Sequence, residues 1–415
     1  MSLSSFKLVH ESFLKSKAHI EKAVYKTPYN NVYNKMCSTK KNTLLWWEIY
    51  NECVQGYSNI ILTYADPLLI IKLLSERGAM VESVFLNIYE SRIPHEVYIL
   101  IDEMLSDLKI DNFAYNVVQN TNFHYSSIYT EVTLANNNVS FPSEPTKDVL
   151  TDKIKNNDVQ LLYYESGQYD NPIAWSLLLH EIFHVISEKE KLEMLEKELP
   201  SVTWISEILN DTYLMHYFGP AYCMSSAFYL SRFPYHEALS HPHYILRLYE
   251  SLLYLGELEE NQELPQPLLE RLKETRTFVN TAFLQFKDSH LNKEVTPEML
   301  LQIEEIYKCT KDKIQMQISA KTPTFKDLVI KSEAERKNTK DLKPSEFIER
   351  EIFSIKDVME YYALGMPIAA NPRILFNSFI SKSFLDSDAQ QKVLIFIRES
   401  LKKWHVKKAW LNTPS

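Results

Sequence analysis

This sequence predicts a mainly α-helical protein with a small β component, and three observations lead there. Glycine is scarce, with only six in 415 residues. Hairpin-rich β folds need glycine or asparagine where a turn demands positive φ, which argues against an all-β fold. Leu, Lys, Glu and Ile dominate, and apolar residues recur at helical spacing through most of the chain. Strand-like runs, by contrast, are few.

Taken in order, residues 1–155 read as an N-terminal mainly helical region. Val97, Leu100, Ile101, Met104, Leu105 and Leu108 mark one apolar helix face within it. It closes in a polar stretch from Asn136 to Asp152, and Ile128 to Leu134 is a weak strand candidate. Residues 156–256 open with a stronger strand candidate, Val159–Tyr164, and hold every pattern that points to chemistry. An acidic, proline-containing connection from Glu257 to Pro267 then leads into a C-terminal helical region, 257–415. That region includes the periodic run Ile352, Ile355, Val358, Met359 and Tyr362, and a second charged link at Arg336–Asp341.

Composition narrows the class of function. Apolar content of 45%, with 12% aromatic, argues against disorder. A net charge of −9 with pI near 5.8, and no polybasic stripe, makes nucleic acid and anionic membrane unexpected partners. Cys37, Cys53, Cys223 and Cys309 are widely spaced with no C-x-x-C pair, as in a reducing compartment. The first residues show no signal pattern. The longest apolar stretches, such as Ile60–Leu74, are interrupted by Asp66, Pro67 and Lys72. The expectation is a cytoplasmic protein.

The informative segment starts at Asn171-Pro172, an N-cap followed by proline at the first helical position. In the helix that should follow, His180, Glu181 and His184 are the only polar side chains beyond the capping end and Ser176. An all-round apolar helix is a buried one, and buried polar groups need partners. His180 and His184, four residues apart, project from one face and can converge on one ion. Glu181 lies beside them, placed to reach water on that ion. This is the H-E-x-x-H arrangement of zinc hydrolases.

A second helix should run from Trp204 to Met215, closed by Gly219-Pro220. Glu207 and Asp211 share a face on it. Taken alone, Glu207 reads as a surface glutamate on an amphipathic helix. Placed after the first helix, it becomes the third metal ligand, with Asp211 accepting the second N–H of a liganding histidine. At this point the chain resembles the gluzincin metallopeptidases, in which H-E-x-x-H is followed by E-x-x-x-D on a second helix. The matching residues are His180-Glu181-Ile182-Phe183-His184 and Glu207-Ile208-Leu209-Asn210-Asp211. The resemblance implies a zincin core within 156–256, and an active-site edge strand in the run at 159–164. It also implies one Zn²⁺ on His180, His184 and Glu207, and a peptide or protein substrate.

Two other metal readings fail on the sequence. A metzincin needs Gly and His where Ser187 and Glu190 stand, and a di-iron bundle needs two E-x-x-H pairs where only Glu181–His184 exists. His216 falls nearly opposite Glu207 on the second helix and makes a poor ligand. A third segment, Tyr235–Arg247, gathers three histidines, two tyrosines and an arginine. It offers His241 and Arg247 as donors for an oxyanion, or it is simply a polar loop and helix start.

The reading is therefore a zinc-dependent peptidase with Glu181 as general base. The alternatives are a non-catalytic helical interaction protein with a structural metal, or a zinc hydrolase of non-peptide substrates.

Overall fold

The computed structural model describes residues 94–110, 113, 115–120, 123–127, 160–165, 171–187, 204–231, 242–287, 295–338, 368, 370–378 and 387–411. The described residues are mainly helical. Two units divide the chain, Met1–Pro94 with Asn112–Tyr169, and His95–Asp111 with Asp170–Ser415.

Among the described residues, the first unit contains three short strands: β1 (Tyr115–Asn120), β2 (His124–Ser127) and β3 (Gln160–Glu165). The run Leu161-Leu162-Tyr163-Tyr164 suits a pleated surface, and Leu161, Leu162 and Tyr164 are all buried. β3 pairs parallel with β1 and antiparallel with β2, so Val117 and Tyr125 both face Leu162. Phe123 packs edge-on against Tyr164 at 5.1 Å. The strand expected at 159–164 thus exists. It is the middle strand of three, however, because both of its sides are hydrogen-bonded, and not the edge strand that the resemblance implied.

The second unit is mainly helical in its described residues. Its first helix, α1 (His95–Asp107), buries the expected stripe of Val97, Leu100, Ile101, Met104 and Leu105. Glu96 on α1 is buried and meets Arg398 and Lys402 at 3.3 and 3.4 Å. Both come from the C-terminal helix α11 (Ser387–Leu411). Pro172 does begin a helix, but the single helix expected there is two: α2 (Pro172–Trp175) and α3 (Leu177–Ile186). At Ser176 the chain tightens, with Leu179 N–H donating to Ser176 O at 3.1 Å. The Ser176 hydroxyl is drawn away to Ser225 Oγ at 2.6 Å.

At the centre lies α4 (Ile205–Phe218), buried at nearly every position. It packs on α3, α5 (Pro220–Leu230), α6 (Tyr244–Glu259), α8 (Pro297–Ser319) and α9 (Phe325–Asn338). The break between α4 and α5 is Gly219, at φ +93°. A Cβ there would stand 2.5 Å from Phe325 Cγ, so only glycine fits. Asn377, on α10 (Pro372–Ser378), stitches the corner. Its amide donates to Phe218 O and accepts from Ala221 N–H, at 2.6 and 2.7 Å. Arg373 on the same helix donates to Tyr217 O and Pro323 O, and its guanidinium stacks 4.5 Å over the Tyr217 ring.

Helix α6 starts at Tyr244, with His243 Nδ1 accepting from Ile245 N–H as its cap. It runs through residues 256 and 257, so the first part of the expected Glu257–Pro267 connection is helix. A short turn with Leu264 tucked inward then leads to α7 (Gln266–Lys287), which packs along α6. The first residues of the charged link at Arg336 likewise belong to α9. Among the described residues no helix is long and apolar enough to cross a membrane. The strand candidate Ile128–Leu134 and the periodic run Ile352–Tyr362 lie outside the described residues.

Candidate metal centre

Helix α3 presents His180, Glu181 and His184 because 3.6 residues per turn stack positions 180 and 184. Helix α4 presents Glu207 and Asp211 from the facing side by the same rule. The structure brings His180, His184 and Glu207 into one group whose ligand atoms all lie within 4.8 Å of one another. His180 Nε2 is 3.1 Å from Glu207 Oε2 and 3.0 Å from His184 Nε2, and His184 Nε2 is 3.3 Å from Glu207 Oε1. Glu207 is 4% exposed, which removes the reading of a surface glutamate. The donor set is two imidazoles and one carboxylate, a group that could hold a metal ion.

The other ring nitrogens are also engaged. His180 Nδ1 lies 2.9 Å from Asp211 Oδ1, where an acceptor for its N–H is needed. Asp211 is itself held: Arg247 donates to it through Nε at 2.5 Å and Nη2 at 2.8 Å, a bidentate pair. The Tyr222 hydroxyl donates to Asp211 and lies 3.0 Å from His180 Nδ1. Asn210 Nδ2 is 3.1 Å from His184 Nδ1.

These contacts set the charges of the cluster. Burial disfavours a charged His180, but Asp211 outweighs it and raises the ring to about 10. His184 goes the other way: burial, then the neighbouring His180 charge, push it down to about 3. Burial opposes ionisation of Glu207 and Asp211 too. Yet His180 holds Glu207 below the usual carboxylate range, and Arg247 does the same for Asp211. One imidazolium therefore sits where two carboxylates converge, the charge that a cation would take over. Burial lifts Glu181 to about 7.

Of the two candidate oxyanion donors, Arg247 spends two nitrogens on Asp211. Its third, Nη1, stands 3.9 Å from Glu207 Oε2, on the ligand side. His241 lies outside the described residues. His216 points away from this group and packs against Tyr254 and Tyr307.

Three residues at the site escaped sequence reasoning. Tyr222 and Glu250 come from α5 and α6, and nothing in the local pattern marks them. Glu250 is fully buried and accepts from the Thr212 hydroxyl. Burial, then the nearby Asp211 charge, hold it well above its ordinary value. Asn210 had a signal: it lies three residues after Glu207 and so on the same side of α4. No family model, curated protein or solved structure matches this chain.

Proposed function

We propose that this chain is a zinc-dependent hydrolase of the gluzincin type, acting on peptide bonds through a zincin core built on α3 and α4. The observation that carries the reading is the convergence of His180, His184 and Glu207 on two buried helices, with Asp211 behind His180. His180, His184 and Glu207 would hold the zinc ion, which would supply polarisation of a carbonyl and a water acidified towards neutrality.

The rest of the chemistry belongs to the chain. Glu181, next to His180 on α3, takes a proton from the attacking water and returns it to the leaving amine. Arg247 fixes Asp211, and Asp211 fixes the His180 ring. Arg247 Nη1, which Asp211 does not occupy, is the donor assigned to the developing oxyanion.

A second reading has its own support. His180 and Glu207 are 5% and 4% exposed, and a closed metal tying α3 to α4 would look the same. Zinc content and hydrolysis of a peptide panel, on wild type beside Glu181→Gln, separate the two. The peptidase reading expects about one zinc per chain in both proteins. It expects wild-type turnover to fall on the order of 10²–10⁴-fold in the variant. Full activity in Glu181→Gln would remove Glu181 as the base. Stoichiometric zinc with no hydrolysis of any peptide would favour the structural metal.

A further inference from the structure

Asn210 is buried on α4 between Glu207 and Asp211, and its amide faces His184 Nδ1. As placed, Asn210 Nδ2 lies 3.1 Å from that nitrogen, while Asn210 Oδ1 is buried without a hydrogen-bond partner among the described residues. A buried acceptor with no donor is penalised, and each such group in a native fold calls for an explanation.

The two nitrogens of His184 supply one. Its Nε2 belongs to the convergent group, 3.0 Å from His180 Nε2 and 3.3 Å from Glu207 Oε1. A neutral ring that offers the Nε2 lone pair to an ion keeps its single proton on Nδ1. An amide NH₂ facing that N–H sets donor against donor. Amide oxygen and nitrogen are told apart only by the bonds they make. Half a turn about the terminal bond of Asn210 brings Oδ1 to His184 Nδ1, matching acceptor to donor there, and carries the amide NH₂ to the side where Oδ1 stood.

We propose that Asn210 is a positioning residue of the metal site, its Oδ1 accepting His184 Nδ1–H and so aiming the Nε2 lone pair at the ion. The role rests on the metal reading of His180, His184 and Glu207. Consecutive residues of α4 then serve the two rings: Asn210 holds His184, and Asp211 holds His180. The holds are unequal. Asp211 is charged and braced by Arg247 and Tyr222. Asn210 is a neutral amide, so His184 is the more weakly held ligand.

The test is zinc affinity, measured by competition with a chromophoric chelator on the full chain, for wild type, Asn210→Leu and Asn210→Asp. Loss of such an outer partner weakens metal binding about 10–100-fold, and that is the expectation for Asn210→Leu. Asn210→Asp keeps an acceptor oxygen in the same place and should bind within a few-fold of wild type or tighter, a rescue that a purely packing role would not show. Selective ¹⁵N-histidine spectra of zinc-loaded wild type should show the proton of His184 on Nδ1, a readout that needs no variant. Asn210→Leu as tight as wild type, Asn210→Asp as weak as Asn210→Leu, or a proton on His184 Nε2 would each overturn the positioning role. A wild-type chain that binds no zinc would overturn the metal reading itself, and this role with it.

Discussion

The two ends of α4 are buried alike and both carry histidine contacts, yet they are built for different ends. At the N-terminal end, Glu207, Asn210 and Asp211 meet His180 and His184, and three ligand atoms converge. At the C-terminal end, His216 is 5% exposed, and among the described residues no such convergence forms around it. Gln315 faces its Nδ1 at 3.2 Å, Tyr254 packs edge-on at 5.0 Å, and Tyr307 stacks at 6.1 Å. Glu257, whose charge acts on His216, is occupied by Lys311 at 2.8 Å and the Tyr307 hydroxyl at 3.1 Å. Burial pushes His216 down to about 4, with Glu257 opposing, so it is a neutral core histidine. Burial of a histidine does not make a ligand. What sets the N-terminal end apart is the convergence of three potential ligand atoms on one point.

The largest expected effect sharpens that contrast directly. His184→Ala should weaken zinc binding by more than ~100-fold, since losing an outer partner alone costs 10–100-fold. His216→Gln should leave affinity unchanged. The reverse pattern, read by the same chelator competition, would move the site to the wrong end of the helix.

Next comes the corner that separates α4 from α5. Gly219→Ala would place a methyl on a residue at φ +93° and against the Phe325 ring. The expected loss is about 3 kcal/mol in urea unfolding, from overpacking and positive φ together. A variant as stable as wild type would mean that Gly219 does not hold the left-handed corner.

The smallest effect is a pH dependence at His216. Its native pKa of about 4 lies below the ordinary 6.5, so below pH 6.5 the unfolded chain binds the proton that the folded chain refuses. The stability is complete above pH 6.5, falls as pH drops towards 4, and levels off below. Between pH 7 and 5 the loss from this group should be about 2 kcal/mol. His216→Gln lacks it, so the gap between wild type and variant should narrow as pH falls. Parallel curves over that range would remove His216 as the titrating group.

Much of the local structure was legible beforehand. Pro172 starts a helix, Gly219-Pro220 ends one, and the run near 160 is a strand, because caps, breakers and β-branched or aromatic runs act over a few residues. The helical stripe of Val97 to Leu108 was legible for the same reason. The break at Ser176 was not; there the hydroxyl is bonded to Ser225 on another helix, a contact that no local window shows. Nor was the continuity of α6 through Glu257–Glu259. An acidic run looks like a link until Lys311 and Arg276 are seen to pair with Glu257 and Glu259.

At the site, helical spacing alone sets His180 over His184 and Glu207 near Asp211, since 1.5 Å of rise and 100° of turn per residue leave no other arrangement. What faces those pairs was settled only by packing. Arg247 on Asp211, Tyr222 between Asp211 and His180, and Asn210 against His184 are contacts between different helices. Such contacts depend on how α3, α4, α5 and α6 pack, and on which buried groups must find partners there, information that no local window of sequence contains.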